Sequence, residues 1–218
     1  MINRVIRYLI AYDFVLNFAF GLLAPIFAVF VLRNVDGANL KVIGTATSIY
    51  WIARVLSTTP ISRFMDKTDG ERDEFYFTIA GTVLISTVPI LLIFAKVPWH
   101  LYLIQFIYGL SNSMAVPGWR ILFTDHLDKG ATGYEWSLED IAIGVAVGAS
   151  AYLGSLLAEA FGFATVLVLL AGLGYCSALL LIPLAPEFKS LSVLRRTRRL
   201  ADIRHRREHV MIPTHHVK

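Results

Sequence analysis

Five polar side chains stand inside stretches of sequence that are otherwise apolar: Asp13, Asn17, Arg54, Gln105 and Asn112. Asp13 and Asn17 are four positions apart and therefore share one face of a helix. Ionisable groups at membrane depth are costly and mark pathways for ions, protons or polar ligands. Asp13 lies about eight positions into its apolar run and Arg54 about nine before the end of the next, which at 1.5 Å per helical residue puts both roughly 12 to 13 Å from the same side. Asn112 joins that layer, and Gln105 lies nearer the opposite side. Opposite charges at one depth offset each other only if they pair or face water. Two roles for Asp13 and Arg54 follow. As a structural ion pair they would tie two helices together. Facing a cavity, Asp13 would be the natural protonation site, and a substrate competing for Arg54 would couple its own occupancy to that of the proton. For Gln105 and Asn112 the competing role is amide glue between helices, about 0.6 kcal/mol on average.

The elements that must position these residues are membrane helices. The 218 residues are 56% hydrophobic and only 17% charged, with a mean hydropathy of +0.61. A soluble domain carries about a quarter charged residues, so the natural solvent of this chain is lipid. Six runs, 5–32, 40–62, 75–95, 99–119, 140–158 and 161–184, approach or exceed the roughly 20 apolar residues that a spanning helix needs. The first is too long for a signal peptide, and no small-residue cleavage pattern follows it. Connecting segments alternate in charge, sixteen Lys/Arg on one side against three on the other. The positive-inside bias then places both termini in the cytoplasm of an inner or plasma membrane. Residues 1–186 form the membrane body. Residues 187–218 form a basic cytoplasmic tail with nine Lys/Arg against three Asp/Glu, expected to lie along anionic lipid headgroups. Pro25 and Pro117 are 92 positions apart, and Pro89 and Pro183 are 94 apart. That spacing fits two three-helix repeats, and an odd number of helices per repeat inverts the second copy. The expected fold is all-α, six transmembrane helices as two inverted repeats.

Several chemistries lack their motifs. There is no phosphate-cradling G-x-x-x-x-G-K-[ST] and no H-E-x-x-H. Gly172-Leu173-Gly174-Tyr175-Cys176 is no potassium filter, and Gly109-Leu110-Ser111-Asn112 lacks the last glycine of an intramembrane serine-protease turn. The single cysteine excludes a disulfide framework. His215 and His216, a doublet near the end of the sequence, are expected to be incidental rather than a metal site. The expectation is a protein that is not an enzyme, with no cofactor, no metal and no nucleic-acid partner.

The loop after the second run reads Ser62-Arg63-Phe64-Met65-Asp66-Lys67-Thr68-Asp69-Gly70-Glu71-Arg72-Asp73. It resembles the signature of the major facilitator superfamily in the same loop, roughly G-x-x-x-D-[RK]-x-G-[RK]-[RK]. Asp66, Lys67, Gly70 and Arg72 match in type. Ser62 replaces the first glycine, one residue is added before Gly70, and Glu71 stands where a cation is usual. The resemblance implies a cytoplasmic gate in which Asp66 caps a helix of an opposing domain and Arg72 pairs with an acid at the inner end of the fourth helix, here Asp125 or Asp128 beyond Arg120. It also implies that the first and fourth helices line a central cavity, which assigns Asp13, Asn17, Gln105 and Asn112 to its wall. The family has two six-helix halves, and this chain resembles the amino-terminal one. A second copy in the same orientation would complete it, giving a parallel homodimer that moves a small solute by alternating access, facilitated or driven by an ion gradient, with protons as the coupling ion if Asp13 is the protonation site. The alternative is a non-transporting assembly or regulatory protein built on the same half-fold. Gly144, Gly148 and Gly154 would let helices approach closely, while Glu139 and Asp140 read as favourable acids at a helix start.

Overall fold

The computed structural model describes residues 2–67 and 70–188, so the basic tail expected beyond Phe188 lies outside the described residues. Among them every regular element is helical: α1 (Arg4–Gly21), α2 (Phe27–Asn34), α3 (Leu40–Asp66), α4 (Arg72–Ile93), α5 (Pro98–Asp125), α6 (Thr132–Phe161) and α7 (Phe163–Leu181), the last followed by a 3-10 turn over Ile182–Leu184. Local chemistry sets the ends. The Asn3 and Asn39 side chains accept from the third N–H of α1 and α3, at 2.9 and 3.1 Å, satisfying donors that have no partner inside the helix. Pro98 opens α5, where its missing N–H costs nothing. Gly162, at φ +80°, separates α6 from α7 in a conformation that side-chain-bearing residues avoid.

α3 runs on to Asp66, taking Ser62–Asp66 of the expected loop into the helix, and α4 starts at Arg72; three further boundaries differ more. The first run is not one helix. It breaks between Gly21 and Phe27 around Pro25, which has no N–H for the ladder. The fourth continues through Trp119 to Asp125, bringing Arg120 and Asp125 into a helix rather than a loop. The fifth begins at Thr132, eight residues before Asp140, so Glu139 lies two turns inside the helix.

Packing runs α3 against α5, α5 against α4, α4 against α7, and α7 with α6 against α1. Two apolar cores fill the bundle. One, around Ile6, Leu9, Phe123, Leu181 and Phe188, lies at the end where α1 starts; the other, around Leu22, Phe30, Leu101 and Leu167, lies at the far end. Close backbone approach is set by small residues. A Cβ on Gly81 would sit 2.5 Å from Ala115 N, one on Gly118 2.6 Å from Glu74 O, and one on Gly154 would collide with the Leu22 carbonyl. Gly144 and Gly148, expected to act with Gly154, have no heavy atom within 4 Å of a built Cβ; they lie on the open side of α6. Among the described residues three helices, α4, α6 and α7 with its 3-10 extension, are apolar and long enough to cross a membrane on that basis alone. The 27-residue α3 and 28-residue α5 are long enough, roughly 40 Å, but carry the polar side chains.

A valine at Gly154 should destabilise the bundle by about 1–3 kcal/mol or more, the range for overpacking, whereas a valine at Gly144 should leave the helical fold intact. Thermal unfolding in detergent, followed by circular dichroism, checks the contrast.

Candidate functional site: a two-chamber cavity between helices

The polar side chains of α1, α3, α5 and α6 converge on one interior space. An apolar chamber of about 410 Å³ is walled by Phe20, Phe27, Trp51, Leu92 and Ile104, with Gln105 and Asn17 among its polar groups. A polar chamber of about 360 Å³ contains Asp13, Arg54, Asn112, Arg120 and Glu139. Asn17, Phe20, Tyr50 and Tyr108 line both. From Arg54 and Arg120 a groove of about 330 Å³ continues past Thr58 and Ser62 to Asp66. All five side chains singled out in the sequence therefore border this space.

Their partners differ from the expected ones. Among the described residues no ion pair joins Asp13 to Arg54; the pairs are Arg4–Glu187 at 3.4 Å and His126–Glu71 at 3.9 Å. Instead, the Asp13 carboxyl lies against that of Glu139, with Asn17 and Arg120 beside it. Arg54 Nη1 donates to the Tyr50 hydroxyl at 2.8 Å, and its guanidinium lies 5.2 Å from the Trp51 ring centre, within cation–π range. Tyr50 stacks on Tyr108 at 4.8 Å, and Tyr108 on Phe20 at 5.6 Å. This aromatic column links α3, α5 and α1 at the junction of the chambers.

Among the described residues the Asn17 and Asn112 amides donate within their own helices rather than between helices: Asn17 Nδ2 to the Asp13 carbonyl at 2.9 Å and Asn112 Nδ2 to the Tyr108 carbonyl at 3.0 Å. No hydrogen bond ties Gln105 to another helix among the described residues. On α4, Thr78, Thr82 and Ser86 each donate to the carbonyl four residues back, at 2.7 Å. Thr82 has only one hydroxyl proton, so in its 2.6 Å contact with Tyr12 the tyrosine is the donor.

Sequence reasoning placed Glu139 at a helix start and Arg120 in the gate, and so missed that both face Asp13. Glu139 is 7% exposed. A usable signal lay in the run Tyr50, Arg54, Thr58, Ser62, Asp66: polar residues at four-residue spacing mark a wetted stripe of a helix. Glu135 and Glu139 carry the same spacing on α6.

The candidate gate residues gather at the end of the bundle where α1 starts. Asp66 and Lys67 close α3, Gly70 follows, and Arg72 opens α4 and is exposed. Among the described residues Arg72 pairs with neither Asp125 nor Asp128. Asp128 instead accepts from Asn3 N at 3.2 Å and Asn3 Nδ2 at 3.1 Å, and its own N–H donates to Glu135 Oε2 at 3.0 Å. The reason is geometric: continuation of α5 to Asp125 carries the following loop over the start of α1. The Asn3 hydrogen bonds favour the charged carboxylate and hold Asp128 below its ordinary titration range.

The family model of the Major Facilitator Superfamily matches residues 10–212. The chain belongs to the major facilitator superfamily and is an integral membrane protein. Among solved structures it is similar to the POT family transporter PepTSo, with a TM-score of 0.66 at 14% identity, over 87% of this chain and 39% of that one. The chain thus spans well under half of that transporter's length. No curated protein matches it in sequence.

Because the folded-state titration of Asp128 is depressed, its contribution to stability should be complete above the ordinary carboxylate value of about 4 and disappear as pH falls through the lowered folded value. Asn3→Ala should raise the Asp128 titration toward ordinary and, by removing the α1 cap, cost about 0.5–2 kcal/mol. Thermal unfolding of wild type, Asn3→Ala and Asp128→Asn across acidic pH tests both, since Asp128→Asn should lose that limb of the pH dependence.

Proposed function

We propose that this chain forms half of a proton-coupled secondary transporter that moves a small solute by alternating access, and that a second copy in parallel orientation supplies the other half. The observation that carries the reading is the convergence of Asp13, Arg54, Arg120 and Glu139 on one cavity among apolar helices. A purely structural bundle gains little from such groups, because buried ion pairs are often no better than apolar packing.

Packing supports six crossings built from two inverted repeats. Exchanging α1 with α5, α3 with α6 and α4 with α7 turns the α1–α6 contact into α5–α3 and α1–α7 into α5–α4, and returns α4–α7 to itself, while α6–α7 has no equally close α3–α4 counterpart. The charge asymmetry of the connecting segments supports placing both termini in the cytoplasm of the plasma membrane, where the tail would meet anionic lipid. In that orientation the groove from Arg54 leads inward to Asp66, at the end of the bundle where Lys67, Gly70 and Arg72 also lie. A two-fold axis along the membrane normal lets two identical halves face each other, and the open space at Gly144 and Gly148 offers a place for a partner helix.

Proton coupling is assigned to Asp13 together with Glu139. Like charges side by side in a low-dielectric site share a proton rather than both ionising, and Arg120 offsets the one that remains. Asp13→Asn and Glu139→Gln should each bind solute and permit exchange in liposomes while losing accumulation driven by an imposed pH gradient. Gradient-driven uptake equal to wild type in both variants refutes the coupling role. For the assembly, Gly148→Cys in a Cys176→Ala background should cross-link into a dimer in membranes, and full transport by a protein held monomeric refutes the homodimer.

A further inference from the structure

Of the four acidic and basic side chains in the polar chamber, three gather in one corner: Asp13, Glu139 and Arg120. With one proton between the two acids, that corner is neutral. Arg54 stands apart on α3. Among the described residues it has no acid within ion-pair distance; its contacts are the Tyr50 hydroxyl at 2.8 Å and the face of Trp51. A guanidinium has five N–H donors in a planar fork, and one contact to a phenol leaves room for two parallel bonds to a carboxylate. The charge missing from the chamber is therefore a negative one, in front of Arg54.

The space next to it has the opposite character. Tyr50 and Tyr108 border both chambers, so a molecule with its head at Arg54 would extend its body past the aromatic column into the apolar chamber. There Phe20, Phe27, Trp51, Leu92 and Ile104 offer faces for an apolar or aromatic group, and the volume of about 410 Å³ falls in the range of small-molecule sites. From these placements we infer that the solute is an amphipathic organic anion, with a carboxylate held by Arg54 and an aromatic or bulky apolar body in the chamber walled by Phe20, Phe27 and Trp51. A cationic amine fits less well, since the two acids already face Arg120 and the cation would sit against Arg54.

The inference rests on reading the cavity as a transport site, but binding can be measured separately from movement. With the purified full chain in detergent, calorimetry should show phenylbutyrate binding about tenfold or more tighter than phenylbutanamide, the scale of a charge-assisted hydrogen bond, with phenylbutylamine weaker still. Butyrate, which lacks the ring, should lose most of the affinity. Arg54→Gln should erase the preference for acid over amide, with the acid losing much more affinity than the amide; Arg54→Lys, which keeps the charge but not the fork, should retain part of the preference and serves as the folded control. Equal binding of acid and amide by wild type, tighter binding of the amine, or a full acid preference in folded Arg54→Gln would overturn the inference. Counterflow in liposomes separates the two readings. Phenylbutyrate that binds with the Arg54 dependence but shows no counterflow removes the transport reading and leaves the site; counterflow that treats acid and amide alike removes the site assignment and leaves transport.

Discussion

Every arrangement in the middle of this bundle answers to one constraint: a charge away from bulk water must be met by another charge, a hydrogen bond or a wetted cavity. The corner of Asp13, Glu139 and Arg120 satisfies it by gathering side chains from α1, α6 and α5, three helices that would otherwise touch through apolar and small residues. Arg120 is exposed at the mouth of the groove, so part of its solvation is kept while its charge reaches the two acids. The helix positions and the charge positions are thereby the same problem. Shifting α6 by one residue would turn Glu139 away from Asp13, and it would also move Gly154 from beneath the Leu22 carbonyl.

The neutral polar groups follow a different rule. Asn17, Asn112, Thr78, Thr82 and Ser86 all donate to the carbonyl four residues earlier in their own helix. No neighbouring helix has to supply a partner, so these residues do not lock the bundle in one arrangement. Among the described residues, much of what crosses between helices is instead aromatic, including Tyr12 to Thr82, Tyr175 to Thr87, the Trp119 ring N–H to the Leu9 carbonyl at 3.4 Å, and the Phe20–Tyr108–Tyr50 column. Such contacts tolerate relative movement better than buried ion pairs, whose attraction depends steeply on geometry.

Much of this architecture was legible in the residues because the membrane enforces long apolar runs and penalises charge within them. Asp13, Arg54 and Asn112 stood out for that reason, and all border the cavity. The partner choices were not legible. Depth along a helix can be counted from sequence, but azimuth requires knowing where the helix starts, and α6 starts well before the residue at which its apolar character becomes obvious. Glu139 therefore looked like a helix-end acid although it faces inward. The same limit applies at Asp128, whose binding to Asn3 follows from the path of the chain after α5. The glycines show a third case: Gly154 and Gly148 are indistinguishable as letters, and only packing separates the one beneath a carbonyl from the one facing open space.

The unequal hydropathy of the helices carries a consequence for how the protein is made. A charge near the centre of an inserting helix costs about 2.5–3.5 kcal/mol on insertion scales, and α1 and α3, which hold Asp13 and Arg54, are synthesised before α4, the first helix apolar enough to enter lipid unaided. The groups that compensate Asp13 come later still, on α5 and α6. The order of synthesis thus separates Asp13 from its partners, whereas Arg54 has its contacts, Tyr50 and Trp51, on its own helix. The Asp13 charge is then offset only once α6 has been made, so a chain halted between α3 and α6 would hold that carboxyl without Arg120 and Glu139 beside it.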